Sequence, residues 1–249
     1  MASKNPSDAI TILNFGAGVN STALAIELEK RGMRPDYAIF ADTGSEQPET
    51  YVHVKIMAEW FKEHGWNFQI VRSKYGNLYD YYFKKNITPS RIFRDCTGKF
   101  KKMPINAFLK TLNSKEIVQY IGIDAGEKQR AVFKGRKCDK FVYPLINWNI
   151  NREGCLKIIR DAKVHEPIKS GCYCCPFQNN ASWLKLLEQH PDLYAASEWL
   201  EKNGKRYPLI SLPWDTTLEK LRIAKKEQTT LFKKDGLCGL PKCDGWCMV

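Results

Sequence analysis

Two short polar turns and a set of cysteines hold the residue types that could do chemistry in this chain. The first turn, Phe15-Gly16-Ala17-Gly18-Val19-Asn20-Ser21-Thr22, lies between an apolar run and a helical pattern. Small residues there let the backbone approach an anion, and the N–H groups of a helix start supply donors with a favourable dipole. Asn20, Ser21 and Thr22 are capping residues that also serve as side-chain phosphate ligands. A plain strand-to-helix turn has the same composition, and neither G-x-G-x-x-G nor G-x-x-x-x-G-K-[ST] is present. The second turn, Ala41-Asp42-Thr43-Gly44-Ser45-Glu46-Gln47-Pro48-Glu49-Thr50-Tyr51, closes the next apolar run. In open α/β sheets ligands sit outside the carboxyl ends of the strands, so both turns are expected to face one crevice.

The chain has nine cysteines. No apolar run approaches the roughly 20 residues needed to cross a bilayer. The start, MASKNPSDAI, lacks the apolar core of a secretory leader. The expected location is therefore cytoplasmic, with no membrane partner, and clustered thiols there point to metal or redox chemistry rather than disulfides. Cys172 and Cys175 have the C-x2-C spacing that lets two thiolates grip one metal centre, and Gly171 and Pro176 favour the tight turn this needs. Cys243 and Cys247 form a C-x3-C pair that would complete a four-thiolate zinc site. The four histidines show no metal spacing, and His165 and His190, each close before a proline, read as boundary residues.

The elements that must position these residues can be read from periodicity. At 249 residues, with 43% hydrophobic and 12% aromatic residues, the chain can bury a real core. Residues 9–15, 36–41 and 67–71 read as strands, and residues 21–31 and 49–63 as helices between them. That alternation implies parallel pairing with helices over the sheet. A basic, loop-rich stretch is expected at 72–102, then a helix near 104–112 and a strand at 116–123. Residues 150–162, 180–189 and 192–203 read as helices, and the last fifty residues as polar and irregular. Trp60, Trp66, Trp183 and Trp199 fall in or beside helical patterns and read as core. The surplus of 39 Lys and Arg over 27 Asp and Glu, a net charge of +12, favours an anionic partner, although a generally basic surface would give the same count. Lys99, Lys101, Lys102, Arg130 and Arg136 are candidates for holding phosphate or sulfate.

FGAGVNSTAL followed by a strand ending in ADTGSEQPETY resembles the PP-loop family of adenine nucleotide alpha hydrolases, and within it the phosphoadenosine phosphosulfate (PAPS) reductase branch. The family loop runs roughly Ser-Gly-Gly-x-Asp-Ser. Here Gly16, Ala17, Gly18, Val19, Asn20 and Ser21 take those places, so the closing Ser is kept while the opening Ser and the Asp are replaced. Further segments resemble that branch in the same order: Arg94-Asp95-Cys96 through Ile105, Ile121-Gly122 through Arg130, Tyr143-Pro144-Leu145-Ile146-Asn147-Trp148, and Ser170-Gly171-Cys172-Tyr173-Cys174-Cys175. The resemblance covers roughly residues 10–200.

It implies a Rossmann-like parallel sheet with helices on both faces, followed by a helical, cysteine-bearing part. The expected division is a nucleotide-binding domain over 1–165 and a helical, cysteine-rich region over 166–249 packed on the same domain. It implies a nucleotide site of Phe15, Gly16, Ala17, Gly18, Asn20, Ser21, Thr22, Asp42, Thr43, Gly44, Lys101, Gly122, Glu127 and Arg130, with Asp42 near the adenosine or a magnesium ion. It also implies a 4Fe-4S cluster on Cys96, Cys172, Cys175 and one further cysteine, from Cys174 or from the tail with Cys243 and Cys247; zinc remains the alternative. Two reactions fit: adenylation of a target by ATP for sulfur transfer, with Ser21 and Asp42 in the site, or reduction of PAPS or adenosine phosphosulfate (APS) with Cys238 as nucleophile. A nucleotide- or nucleic-acid-binding module with a structural metal is the third. The partners implied are an adenine nucleotide, tRNA or DNA, and a sulfur donor or thiol reductant protein; a homo-oligomer is compatible with the sequence.

Overall fold

The computed structural model describes residues 9–114, 116–131, 139–205, 209 and 216–235. The first elements are β1 (Ile10–Asn14), α1 (Val19–Lys30), β2 (Tyr37–Asp42), α2 (Pro48–Glu63), β3 (Phe68–Arg72) and α3 (Leu78–Lys85). A single turn, α4 (Asp95–Thr97), runs into a π-helical stretch, Gly98–Lys102, and then α5 (Met103–Thr111). Next come β4 (Ile117–Ile121), a 3-10 segment (Ala125–Arg130), β5 (Asp139–Val142), α6 (Pro144–Asn147) and α7 (Arg152–Asp161). The last helices are α8 (Asn180–Gln189), α9 (Pro191–Asn203) and α10 (Leu218–Asp235).

The strands pair in parallel in the order β3-β2-β1-β4-β5. Successive side chains of a strand point to opposite faces. Leu13, Ala38 and Phe40 therefore enter one core, with Leu24 and Leu28 of α1, Met57 and Phe61 of α2, and Ile159 of α7. Ile12, Ile39 and Ile117 enter the other, against Ile105, Phe108 and Leu109 of α5. Helices cover both faces, which is why β1 and β2 read as nearly continuous apolar runs. The chain adopts the α/β class expected of it.

Two compact units are present: Met1–Gly76 with Thr97–Cys172, and Asn77–Cys96 with Tyr173–Val249. The first holds the sheet. The second is helical and has its own core of Trp183, Tyr194, Leu200 and Leu218, in which the Tyr194 hydroxyl donates to the Leu218 carbonyl at 2.7 Å. Arg222 grips Glu198 with two bonds of 2.8 and 2.9 Å, tying α10 to α9.

Three elements depart from expectation. The stretch at 72–102 contains α3, whose start is capped by Asn77 accepting from the Asp80 amide. The carboxyl-terminal part contains α10 rather than irregular chain alone. β5 has no counterpart in the sequence reading. Among the tryptophans, Trp66 and Trp183 are buried, but Trp199 is exposed and stacks on Phe83 at 4.3 Å. Among the described residues no helix is long and apolar enough to cross a membrane.

Candidate functional site

Strand order reverses between β1 and β4, since β2 and β3 lie on one side of β1 and β4 and β5 on the other. Such a switch point opens a crevice at the carboxyl ends of the strands. The turn Phe15–Gly18 leaves β1 here. Ala17 adopts φ 54, an unusual left-handed conformation for a residue with a side chain, and Gly18 caps α1. Ser21 accepts from the Gly18 amide at 3.2 Å and donates to the Gly18 carbonyl at 3.0 Å, so its hydroxyl is folded back onto the turn. No acidic residue occupies the first turn of α1, which keeps that end electropositive. Phe15 is buried against Phe61 and Phe68, so its ring is core and only its main chain borders the turn.

Gly122, just past β4, presses on this helix start. A Cβ there would lie 2.9 Å from the Ser21 nitrogen and 3.0 Å from the Asn20 carbonyl carbon, so only glycine permits the approach. Gly18 is equally confined, with a Cβ meeting Ser170 Oγ at 2.9 Å. Asn20 donates to Asp124 at 2.8 Å and accepts from Arg152 at 3.0 Å. Asp124 also accepts from the Gly126 amide at 2.8 Å. Beside this chain of bonds lies a cleft of about 550 Å³ lined by Asp124, Gly126, Glu127, Asn151, Arg152 and Glu153. Its size suits a nucleotide-sized ligand, for which roughly 300–1,000 Å³ is typical. Glu127 and Arg130 form an ion pair of 2.6 Å with both partners exposed.

Asp42, at the end of β2, is buried. Its carboxylate accepts from the Gly44 amide, the Tyr51 hydroxyl and the Arg72 guanidinium, each at 2.8 Å. Arg72 arrives there because β2 and β3 pair in a register that sets it opposite Asp42. Burial alone would raise the Asp42 pKa; the Gly44, Arg72 and Tyr51 donors outweigh it and hold the carboxyl below its ordinary value. With both oxygens engaged, Asp42 holds the 42–46 turn in shape.

That turn meets the Cys172 segment. Glu46 and Cys172 form an isolated antiparallel bridge, and the Gln47 amide donates to the Gly171 carbonyl at 3.0 Å. Three groups converge on the buried Glu46 Oε1: Thr43 Oγ1 at 3.1 Å, Lys101 Nζ at 3.2 Å and Cys172 Sγ at 3.6 Å. Thr43 Oγ1 also lies 3.2 Å from Cys172 Sγ. A buried carboxylate needs such partners, and Lys101 supplies the charge. The glycine turn, Gly122, the 42–46 turn, Lys101 and Cys172 thus all border one region of the first unit.

The sequence reading did not single out Thr22's partner. Thr22 Oγ1 and His53 Nε2 are 2.8 Å apart and both groups are buried, while among the described residues His53 Nδ1 has no hydrogen-bond partner. Burial, reinforced by the nearby His165, lowers the His53 pKa to about 4, so the ring is neutral near pH 7. Arg72, Tyr51, Glu46 and Arg152 were missed as well. Tyr51 and Glu46 stand inside the 41–51 turn, whereas Arg72 and Arg152 depend on strand order and carried no local signal.

Cys172 belongs to the first unit, and Cys96, Cys174 and Cys175 to the second. None of the four is in a disulfide. Among the described residues no three His, Cys, Asp or Glu side chains are grouped to hold a metal ion. Arg136, Cys238, Cys243 and Cys247 lie outside the described residues.

No family model matches the chain. An uncharacterised protein of Methanocaldococcus jannaschii is 24% identical over 210 residues, covering 80% of this chain and 48% of its own length. The chain therefore spans about half of that curated relative. Among solved structures, a PAPS reductase of Candida auris in a phosphate complex gives a TM-score of 0.48 at 17% identity, over 64% of this chain and 76% of its own. The U34-tRNA thiolase NcsA of Methanococcus maripaludis, solved with its [4Fe-4S] cluster, gives 0.47 at 15% identity, over 95% of this chain and 84% of its own. At these scores the likeness stops at a general resemblance of fold.

Proposed function

We propose that this chain is a PP-loop enzyme of the PAPS reductase-like branch that binds ATP with magnesium at the strand switch and adenylates a target, preparing it for sulfur transfer. One observation carries the reading: Gly122 packs at bare backbone distance on an α1 start without acidic residues, at the switch point and beside a nucleotide-sized cleft. In this reading the first amides of α1 hold phosphate oxygens, and Asn20, fixed by Asp124 and Arg152, sets the edge of the cleft. Asp42 acts as the post that holds Thr43 and Gly44 in place.

The target's oxygen attacks the α-phosphorus, the bond from that phosphorus to the bridging oxygen breaks, and pyrophosphate leaves with the electron pair. A sulfur nucleophile from a donor then attacks the carbon bearing the adenylated oxygen, and AMP departs. The protein contributes positioning and charge neutralisation around the phosphoryl group. The target is tRNA or DNA, the donor a sulfur-carrying or thiol protein, and the enzyme works in the cytoplasm as a monomer or homo-oligomer.

A 4Fe-4S cluster on Cys96, Cys172, Cys175 and one further cysteine, from Cys174 or from the tail with Cys243 and Cys247, or zinc in its place, belongs to the same proposal. The steps above run without it.

Titration calorimetry with a non-hydrolysable ATP analogue tests the site, and separation of products tests the reaction. Binding is expected for the wild type, and Gly122→Ala, which drives a Cβ against Ser21, is expected to weaken it about tenfold or more while the fold survives. Pyrophosphate and AMP from ATP would support adenylation. Sulfite from PAPS or APS would reassign the chain to sulfonucleotide reduction through Cys238, and binding without products would leave a binding module. A wild type that binds no adenine nucleotide would end the reading.

A further inference from the structure

The second unit carries an exposed surface that the nucleotide site does not use. Residues 88–94 form a loop anchored from below: Thr88 and Ser90 are buried, and the Ser90 hydroxyl accepts from the Ile92 amide at 3.1 Å. The Arg94 amide donates to the Ser90 carbonyl at 3.1 Å, and the Lys205 amide to Asn86 at 2.9 Å, which closes the loop's base. On this rigid base Ile92 and Phe93 stand 66% and 60% exposed. Two large apolar side chains this exposed at a loop tip add little to the core of the fold, and their open faces are surface on which a ligand can pack.

The flanking charges say which kind. Arg91 and Arg94 each place a guanidinium 5.0 Å from the centroid of Phe177, itself 37% exposed. Arg94 does so from φ 47, a left-handed conformation that a residue with a side chain adopts at a cost of roughly 1 kcal/mol. Beside them, α3 ends in exposed Lys84 and Lys85, and Phe83 stacks on Trp199 with both rings open to solvent. Residues 77–96 hold four Lys and Arg against Asp80 and Asp95, and Asp95 already accepts from the Tyr82 hydroxyl. A protein partner would be served by the apolar tip alone. Aromatic faces interleaved with arginines, on a chain of net charge +12, match unpaired bases joined by phosphates.

We infer that the surface formed by Arg91, Ile92, Phe93, Arg94 and Phe177 binds an unpaired stretch of polynucleotide, with a base stacked on Phe93 and phosphates held by the two arginines that flank Phe177. As the acceptor of the proposed adenylation, this strand rests on that reading; as a ligand of this surface it does not, because the test uses no ATP.

The experiment is fluorescence anisotropy of the full chain with a labelled single-stranded RNA of about 16 nucleotides, the matching duplex, and a salt series. The single strand is expected to bind at least about tenfold more tightly than the duplex, since stacking needs open base faces. Phe93→Ala is expected to weaken single-strand binding about fivefold or more with little change in salt slope, and Phe93→Trp to retain it. The double variant R91A/R94A is expected to flatten the salt slope by about 1.4, two phosphate contacts at about 0.7 each for a single strand. Phe93 is exposed, so its truncation spares the core, and unchanged thermal unfolding confirms it. Equal affinity for strand and duplex, no effect of Phe93→Ala, or no binding at all would each overturn the proposal.

Discussion

Lowering the pH should weaken the fold through His53. Its ring is buried, its Nε2 is bonded to Thr22, and its pKa is lowered from 6.5 to about 4 by burial and by His165. Above pH 6.5 the ring is neutral in both folded and unfolded chains, and this contribution is intact. As pH falls from 6.5 towards 4, the unfolded chain takes up a proton that the folded chain refuses, so stability is lost across that window and the loss is complete below it. One pKa unit corresponds to about 1.4 kcal/mol, which gives a loss of about 2 kcal/mol between pH 7 and pH 5. Urea unfolding at the two pH values and fixed ionic strength measures it. His53→Gln keeps a donor near Thr22 but cannot titrate, so the variant should lose about 2 kcal/mol less than the wild type over the same interval. Identical losses in the two proteins would refute the reasoning, because every other titrating group is common to both.

Asp42→Ala strands the Gly44 amide and the Tyr51 hydroxyl and leaves Arg72 without its anion, so it should cost roughly 2–4 kcal/mol in urea unfolding. Tyr51→Phe removes one of those bonds and should cost roughly 1 kcal/mol. Burial, and then the nearby Asp124, push the Cys155 thiol up to about 12, so iodoacetamide at pH 8 should spare it in the native protein and modify it once urea unfolds the chain. Peptide mass spectrometry reads both states, and native labelling at the rate of a small thiol would contradict its burial.

Local patterns carried most of the sheet. β1, β2 and α2 are long or strongly apolar, so their positions could be read within one or two residues. β5 could not, because Asp139-Lys140-Phe141-Val142 is short and half polar, and its place comes only from pairing with β4. α3 was hidden by Tyr, Asp and Phe, which are mediocre helix formers; the Asn77 cap was the available clue. α10 is rich in Lys and Glu, which form helices well but leave a weak apolar stripe. In the site, the glycine turn and the 41–51 turn were legible because each is continuous in sequence. The Asp42–Arg72 pair, the Thr22–His53 bond and the approach of Cys172 to Glu46 were not, since each joins segments that only the strand order brings together.

The central position of β1 also shapes how the molecule is made. One of its neighbours, β2, follows within a few dozen residues, whereas Ile10 must wait for Ile117 to emerge before its other side is paired. During synthesis the nascent β3-β2-β1 ribbon therefore presents an open row of amides and carbonyls flanked by Ile12 and Leu13, the kind of edge that recruits stray strands. Closing that edge is a non-local event with a large loop to gather, so slow refolding and a need for low protein concentration or chaperones follow from the sheet order itself.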